Sequence, residues 1–189
     1  MPENSSQKHA SPPFIHLRLH TEFSISDGLV RVKSLIQRLR DLSMPAVAVT
    51  DKANLFGLIK FYSGSVKQGL KPVCGCDILV ADDVNKVVTR LALLVKDQTG
   101  YLNLTEMISN LYTENPGHSQ RLVSRSELQA HSEGLIALSG GLESDIGKAL
   151  SENDLEHAET LLKRWLSIFP DNFYLEVQRV GKEGEEKYI

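Results

Sequence analysis

Short apolar segments typical of strands alternate with amphipathic segments typical of helices along most of the 189-residue chain. The helical segments repeat apolar residues every three or four positions, whereas the strand-like ones are nearly all apolar or alternate with period two. This order indicates βα units, with parallel neighbouring strands and right-handed crossovers. Both a closed barrel and an open doubly wound sheet are compatible with it. Strands are predicted over 14–20, 46–51, 73–81, 87–96, 135–140 and 173–180, and helices over 29–42, 54–68, 99–113, 126–130, 141–150 and 154–169, with a loop over 114–124.

The composition is that of an ordinary globular domain, with 41% hydrophobic and 24% charged residues. Residues 1–13 are polar and end in two prolines, which predicts a disordered leader before a single α/β domain over 14–189. Cys74 and Cys76 are spaced for neither a disulfide framework nor a metal motif, so we expect reduced core residues in a cytoplasmic protein. No segment is apolar for long enough to cross a membrane. A net charge of −3 argues against binding nucleic acid by bulk electrostatics.

The first predicted strand carries three nitrogen-bearing side chains at alternate positions, His16, Arg18 and His20. Alternate residues of a strand point to the same face, so we expect these three side chains to converge. Asp27 follows just past the end of this strand, where α/β folds place their functional groups. The H-x-R-x-H pattern is weak alone and gains weight from polar residues elsewhere.

Further polar residues and glycines lie in or after the later strands. For a single Asp or Arg here, a helix cap or a solvated side chain is the commoner explanation. The glycine pair fits a backbone approach to a phosphate and a tight βα turn about equally well. Taken together, the set predicts a polar site at one end of the sheet. Its members are Thr50, Asp51, Lys52, Asp77, Arg90, Ser139, Gly140 and Gly141.

Five stretches of the chain resemble, in order and spacing, the N-terminal polymerase and histidinol phosphatase (PHP) domain of bacterial DNA polymerase III alpha subunits. They are HLRLHTEFSISDG, MPAVAVTDKANLFGLIKFY, KPVCGCDILV, RLALLVKDQTGYLNL and EGLIALSGGL. The resemblance implies a distorted seven-stranded (β/α) barrel, which we expect to lack its last βα unit here. It also implies a parent DNA-directed DNA polymerase, a nucleotidyltransferase of DNA replication, of which this chain is an N-terminal fragment.

Metal-bearing members of that family hold divalent ions with histidines, acidic residues and a cysteine on the strand ends. Arginine and protonated lysine offer no lone pair to a metal ion, so the substitutions predict a degenerate site without metal. We expect Arg18, Lys52 and Arg90 to stand in place of the metals against Asp27, Asp51 and Asp77. The corresponding positions here are Arg18, His20, Asp27, Asp51, Lys52, Asp77, Arg90 and Gly141, and the remaining ligands would lie beyond Ile189.

Two functions follow as hypotheses. The favoured one is a non-catalytic scaffold that docks the proofreading exonuclease subunit of the polymerase core, with no catalytic residue or cofactor in the fragment. DNA and the sliding clamp would be bound by C-terminal domains of the parent chain, which would use Mg²⁺ for catalysis. The alternative is a residual phosphoesterase or pyrophosphatase, in which the basic cluster holds the anion and His20 or an Asp acts as base.

Overall fold

The computed structural model describes residues 14–83, 87–113, 121–181, 183 and 185–188, so the predicted leader lies outside the described residues. Its elements confirm the mixed α/β class, and the predicted helices are present with ends shifted by a few residues. None of the helices in the described ranges is long and apolar enough to cross a membrane. The strands are β1 Ala46–Val49, β2 Lys71–Ala81, β3 Val88–Val95, β4 Leu122–Ser124, β5 Leu135–Leu138 and β6 Phe173–Tyr174. The helices are α1 Val32–Asp41, α2 Leu58–Lys67, α3 Gln98–Thr113, α4 Arg125–Ala130, α5 Asp145–Ser151, α6 Leu155–Ile168 and α7 Glu185–Tyr188, with 3-10 turns at Glu22–Ser24 and Gly141–Glu143.

The sheet is mixed, so the prediction of wholly parallel pairing is wrong. The strand order is β1-β2-β3-β5-β6, with β4 paired to β2 on the same edge as β1. β3 runs antiparallel to both β2 and β5, whereas the other pairs are parallel. Only six residues connect β2 to β3, whereas a crossover between parallel strands needs a dozen or more. In the described residues the sheet does not close into a barrel.

The predicted first strand is extended beside β1 but irregular. The amide of Ala48 donates to the carbonyl of His16 at 2.8 Å, and the amide of Thr50 donates to the carbonyl of Leu19 at 2.9 Å. Three residue steps of the first segment, from His16 to Leu19, therefore lie opposite two steps of the neighbouring chain, from Ala48 to Thr50. The chain bends at Leu17. A bulge of this kind shifts the alternation of side chains by one residue, so positions before and after it that would share a face in a regular strand point to opposite faces.

The predicted sixth strand is also shorter than expected, because only Phe173 and Tyr174 belong to the sheet. The amide of Ser139 still donates to the carbonyl of Tyr174 at 3.0 Å, but the next amide along the edge, that of Glu176, donates to the Ser139 hydroxyl at 2.9 Å. A side chain replaces the backbone acceptor at this point, which ends the ladder. Residues 175–180 continue along the edge without regular structure.

Two cores packed with helices cover one face of the sheet. The larger core packs α3, α5 and α6 against β2, β3 and β5, and the indole of Trp165 lies fully buried and parallel to Phe173 with the ring centroids 6.1 Å apart. The smaller core packs α1 and α2 on β1 around Val47 and Phe61. The opposite face of the sheet borders an open cleft of about 1180 Å³ between residues 14–18 and 174–180. Phe14 and Val177 are 68% and 60% exposed at its rim.

Candidate functional site

A polar cavity of about 300 Å³ lies where the first extended segment, the end of β1 and the turn after β5 meet. It brings together five of the predicted residues, Arg18, His20, Asp27, Lys52 and Arg90. Gly140 also lines it, so the predicted Ser-Gly-Gly turn reaches the site. The complete lining is Arg18, His20, Asp27, Lys52, Arg90, Gly140, Glu143 and Gln178.

Arg18 joins three separate parts of the chain. Its Nη2 and Nε donate to Oδ2 of Asp77 at 2.6 and 3.1 Å, and its Nη1 donates to both oxygens of Glu176 at 3.1 and 3.2 Å. The three side chains are only 14%, 2% and 11% exposed, so these ion pairs are largely screened from water. Burial lowers the pKa of Arg18, but the charges of Asp77 and Glu176 outweigh this, and the net pKa is raised. Arg18 therefore stays charged.

His20 lies between two carboxylates. Its Nε2 is 2.8 Å from Oδ2 of Asp77, and its Nδ1 is 3.3 Å from Oδ2 of Asp27. A neutral imidazole can donate through one nitrogen and an imidazolium through both. Lys52 Nζ forms an ion pair with the same oxygen of Asp27. Partial burial raises the pKa of Asp27, but the hydrogen bond from Lys52 and the charges of His20 and Lys52 outweigh it, so this pKa lies below its usual value.

Arg90 lies near the start of β3, and it reaches the site because β3 is antiparallel to its neighbours. Its Nη1 is 3.0 Å from Oε2 of Glu143, and its Nε is 3.9 Å from Oδ1 of Asp77. Gly140 has φ +81°, and a Cβ on it would lie 2.3 Å from the carbonyl oxygen of Arg90. The glycine thus allows the turn after β5 to pass directly over β3.

Asp51 takes no part in this cluster, contrary to the expected pairing with Arg18, Lys52 and Arg90. It is buried, and its carboxylate accepts from the amide of Thr21, the hydroxyl of Thr21 and the hydroxyl of Ser24, each at 2.7 Å. Adjacent residues of an extended chain point in opposite directions, so Asp51 and Lys52 cannot both face the cavity. Asp51 instead holds the 3-10 turn after the first segment against the end of β1.

Five other predicted positions also lie outside the cavity lining. Two of them still contact residues of the site, since Asp77 accepts from Arg18 and the Ser139 hydroxyl accepts from the amide of Glu176. The other three are His16, Thr50 and Gly141. His16 is exposed, with its ring edge against Phe14 at a centroid distance of 4.8 Å, because the bulge at Leu17 separates it from Arg18 and His20. The Thr50 hydroxyl accepts from the amide of Leu19 at 3.0 Å. Gly141 begins the 3-10 turn after β5 with φ +63°.

Sequence reasoning missed three residues of the site, Glu143, Glu176 and Gln178. The carboxylate of Glu176 accepts hydrogen bonds from Arg18, and Gln178 Nε2 donates to Glu176 Oε1. Glu176 and Gln178 occupy alternate positions in the predicted sixth strand, so the rule that selected Arg18 and His20 would have found them. Glu143 lies two residues after the glycine pair and had no comparable signal.

The donor set does not suit a divalent cation. Among the described residues, no three His, Cys, Asp or Glu side chains are grouped to hold one. The carboxylates of Asp27 and Asp77 already face Lys52 and Arg18, whose nitrogens have no lone pair to offer a metal ion. Burial raises the pKa of the Cys76 thiol, whose Sγ donates to the carbonyl of Asp51 at 3.2 Å. Metal content itself stays a prediction.

Comparison with known proteins identifies the family of this chain. Residues 16–180 match the PHP domain family, and the chain belongs to that family. It is similar to the N-terminal region of DNA polymerase III alpha subunits: 45% identical over 93% of the chain to that of Pseudomonas aeruginosa, and 40% over 95% to that of Vibrio cholerae. The chain spans 15% and 16% of these relatives. A solved structure from Bifidobacterium adolescentis, named as a metal-dependent phosphoesterase, aligns with a TM-score of 0.47 at 14% identity, covering 89% of this chain and 88% of that one.

Proposed function

We propose that this chain is the N-terminal PHP domain of a replicative DNA polymerase III alpha subunit, and that its polar site is a structural ion network without catalytic activity. The parent chain would be a DNA-directed DNA polymerase that works in the cytoplasm with Mg²⁺ at carboxylates outside these residues. It would bind DNA and the sliding clamp through other domains. The similarity to alpha subunits over 93% of the chain supports this assignment.

The contacts of Arg18 are the observation that carries the structural role. Its guanidinium connects the first extended segment to β2 through Asp77 and to the segment after β6 through Glu176. The two outer segments are 158 residues apart in sequence and border the open cleft of the sheet. A cation at this position therefore fastens both sides of an unclosed sheet without a metal ion.

The test compares folding with activity in the full-length polymerase. We expect Arg18→Gln to lower the melting temperature of the polymerase and to reduce DNA synthesis only in proportion to the folded fraction. Lys163→Gln is the matched control, because Lys163 is an exposed cation on α6 whose only ion-pair partner among the described residues is exposed Glu159. A loss of DNA synthesis at full folding, or no change in melting temperature, would contradict a structural role.

The docking of a proofreading exonuclease subunit belongs to the same proposal. The similarity to proteins named as subunits of DNA polymerase III supports it, because a subunit must present a surface to its partners. Co-elution of the purified exonuclease subunit with the 189-residue chain in gel filtration tests this step. Separate elution at concentrations that keep the full polymerase core together would place the docking surface elsewhere in the parent chain.

The alternative, a residual phosphoesterase or pyrophosphatase, has the cavity itself in its favour, because His20, Lys52 and Arg90 all line it. Each of these side chains, however, already faces a carboxylate, so an incoming phosphate would compete with Asp27, Asp77 or Glu143. Phosphate release from pyrophosphate that survives a chelator and disappears in His20→Ala would favour the alternative over the structural role.

A further inference from the structure

Helices α1 and α2 lie side by side and form one continuous outer surface. Gly64 of α2 faces α1 so closely that a Cβ on it would lie 2.6 Å from Cδ1 of Ile36. Near the helix ends, Nη1 of Arg40 donates to Oε1 of Gln68 at 2.6 Å. The side chains that both helices direct to solvent therefore share one face, which we call the α1–α2 face.

This face carries an apolar stripe in addition to the one that α2 buries. Ile59, Tyr62 and Val66 are spaced i, i+3 and i+7, so they lie on one side of the helix. They are 75%, 51% and 53% exposed, although α2 already buries Leu58 and Phe61 in the core. Single exposed apolar residues are ordinary, but three in register form a second apolar face on a helix that needs only one.

The same face is strongly basic in an otherwise acidic chain. Residues 29–71 contain eight Lys and Arg but only two Asp and no Glu, whereas the whole chain has 21 basic and 24 acidic residues. Asp51 is buried, and the exposed carboxylate of Asp41, which accepts from Gln37 one turn earlier, offsets only one of the exposed positive charges. The exposed cations on or beside the two helices are Arg31, Lys33, Arg38, Arg40, Lys60, Lys67 and Lys71.

Helix dipoles account for only part of this distribution. Cations in the last turn of a helix are stabilised by the negative end of its dipole, which accounts for Arg38, Arg40 and Lys67. Lys33 and Lys60 lie in the first turns, where the dipole disfavours them. Lys60 is partly compensated by Glu22 at 3.0 Å, whereas no ion pair involves Lys33 in the described part of the chain. The apolar stripe has no explanation in helix electrostatics.

We propose that the α1–α2 face binds an acidic amphipathic helix of a partner protein. The apolar side of that helix would cover Ile59, Tyr62 and Val66, and its carboxylates would meet the bordering cations. Lys71 can contribute because it is exposed and lies only four residues past the end of α2 at Lys67. Nucleic acid fits less well, since it would gain from the cations but leave the apolar stripe without a partner. This surface is separate from the ion network and does not rest on the proposed function of that network.

Fluorescence anisotropy with a labelled peptide tests the proposal on the full 189-residue chain. The probe is an amphipathic helix of about 18 residues built from Leu and Glu, with a scrambled peptide of the same composition as comparator. We expect Ile59→Ser with Val66→Ser, and separately Lys67→Glu with Lys71→Glu, each to weaken binding by about tenfold. The control pair, Leu155→Ser with Lys163→Glu, lies on α6, where both side chains are exposed, and should leave binding unchanged.

Several outcomes would overturn the proposal. The first is equal binding of the amphipathic and the scrambled peptide, and the second is equal weakening of binding by the control pair. The third is that only the charge-reversal variant weakens binding and that duplex DNA displaces the peptide. Amide chemical-shift changes on the unaltered chain provide a check that requires no variant. Changes centred on α1 and α2 support the surface, and changes centred elsewhere refute it.

Discussion

Asp77 is the residue whose removal should damage the ion network most. Its side chain is 2% exposed, and its Oδ2 accepts from Arg18 and His20 at 2.6 and 2.8 Å. Asp77→Asn keeps the shape of the side chain but removes the charge and one of the two acceptor oxygens. Arg18, which is 14% exposed, would then keep Glu176 as its only charged partner among the described residues.

Breaking a buried ion pair from one side typically costs about 3–5 kcal/mol, because the remaining charge is left without compensation. Whole domains are stable by only about 5–15 kcal/mol, so the variant should lose a large part of its free energy of unfolding. Urea denaturation followed by circular dichroism measures this loss. Glu159→Gln, which breaks an exposed pair on α6, is the matched control and should change little.

A double-mutant cycle separates loss of the pair from general damage. If Asp77→Asn acts through Arg18, then combining it with Arg18→Gln should cost clearly less than the two single losses together. A loss below about 1 kcal/mol for Asp77→Asn would refute the buried network, because that is the range of solvated pairs. Additive losses in the cycle would show that Asp77 matters for some reason other than Arg18.

Three further predictions concern the same site. Dialysed protein should contain less than one equivalent of zinc, manganese or iron by elemental analysis, and a full equivalent would contradict the degenerate site. The pKa of Asp27 is lower in the folded chain than its ordinary value of 3.8, so ionised Asp27 stabilises the fold at pH values above 3.8. This stabilisation is lost as the pH falls through the lower folded-state pKa. The melting temperature of Asp27→Asn should therefore fall less than that of the unaltered chain between about pH 5 and 2, and parallel curves would count against it. Gly140→Ala should lower the free energy of unfolding by about 3 kcal/mol or more, because the new Cβ would collide with the Arg90 carbonyl oxygen. Gly69→Ala, with φ +71° but open space, should cost only about 1 kcal/mol, and equal losses would exclude the close approach.

Local pattern was enough to predict the helices and the approximate membership of the site. The three- and four-residue spacing of apolar side chains records which face of a helix is buried, and this holds whatever the helix packs against. The structure brings Arg18, His20 and Lys52 together, as expected for polar residues near the ends of neighbouring strands. That expectation needed only the rule that strands of one sheet present their ends to a common edge.

The partners within the site were decided by tertiary structure. Arg18 was expected near Asp77 and Asp51, but its second partner is Glu176. The Asp51 carboxylate instead accepts hydrogen bonds from the hydroxyls of Thr21 and Ser24. A single bulge at Leu17 removes His16 from the cavity, and a short connection makes β3 antiparallel, which brings Arg90 to the site from the start of its strand. Neither event leaves a trace in residue periodicity.

Local sequence pattern was therefore enough for the class of fold and the helical segments, and a site in which cations replace metal ligands stays a prediction from the resemblance to the PHP family. Tertiary structure alone decided the strand directions, the open edge and the pairing of each charge. The physical reason is the separation along the chain between the residues that interact. Periodicity depends on contacts within a few residues, whereas an ion pair such as Arg18 with Glu176 joins groups 158 residues apart and depends on the path of the whole chain between them.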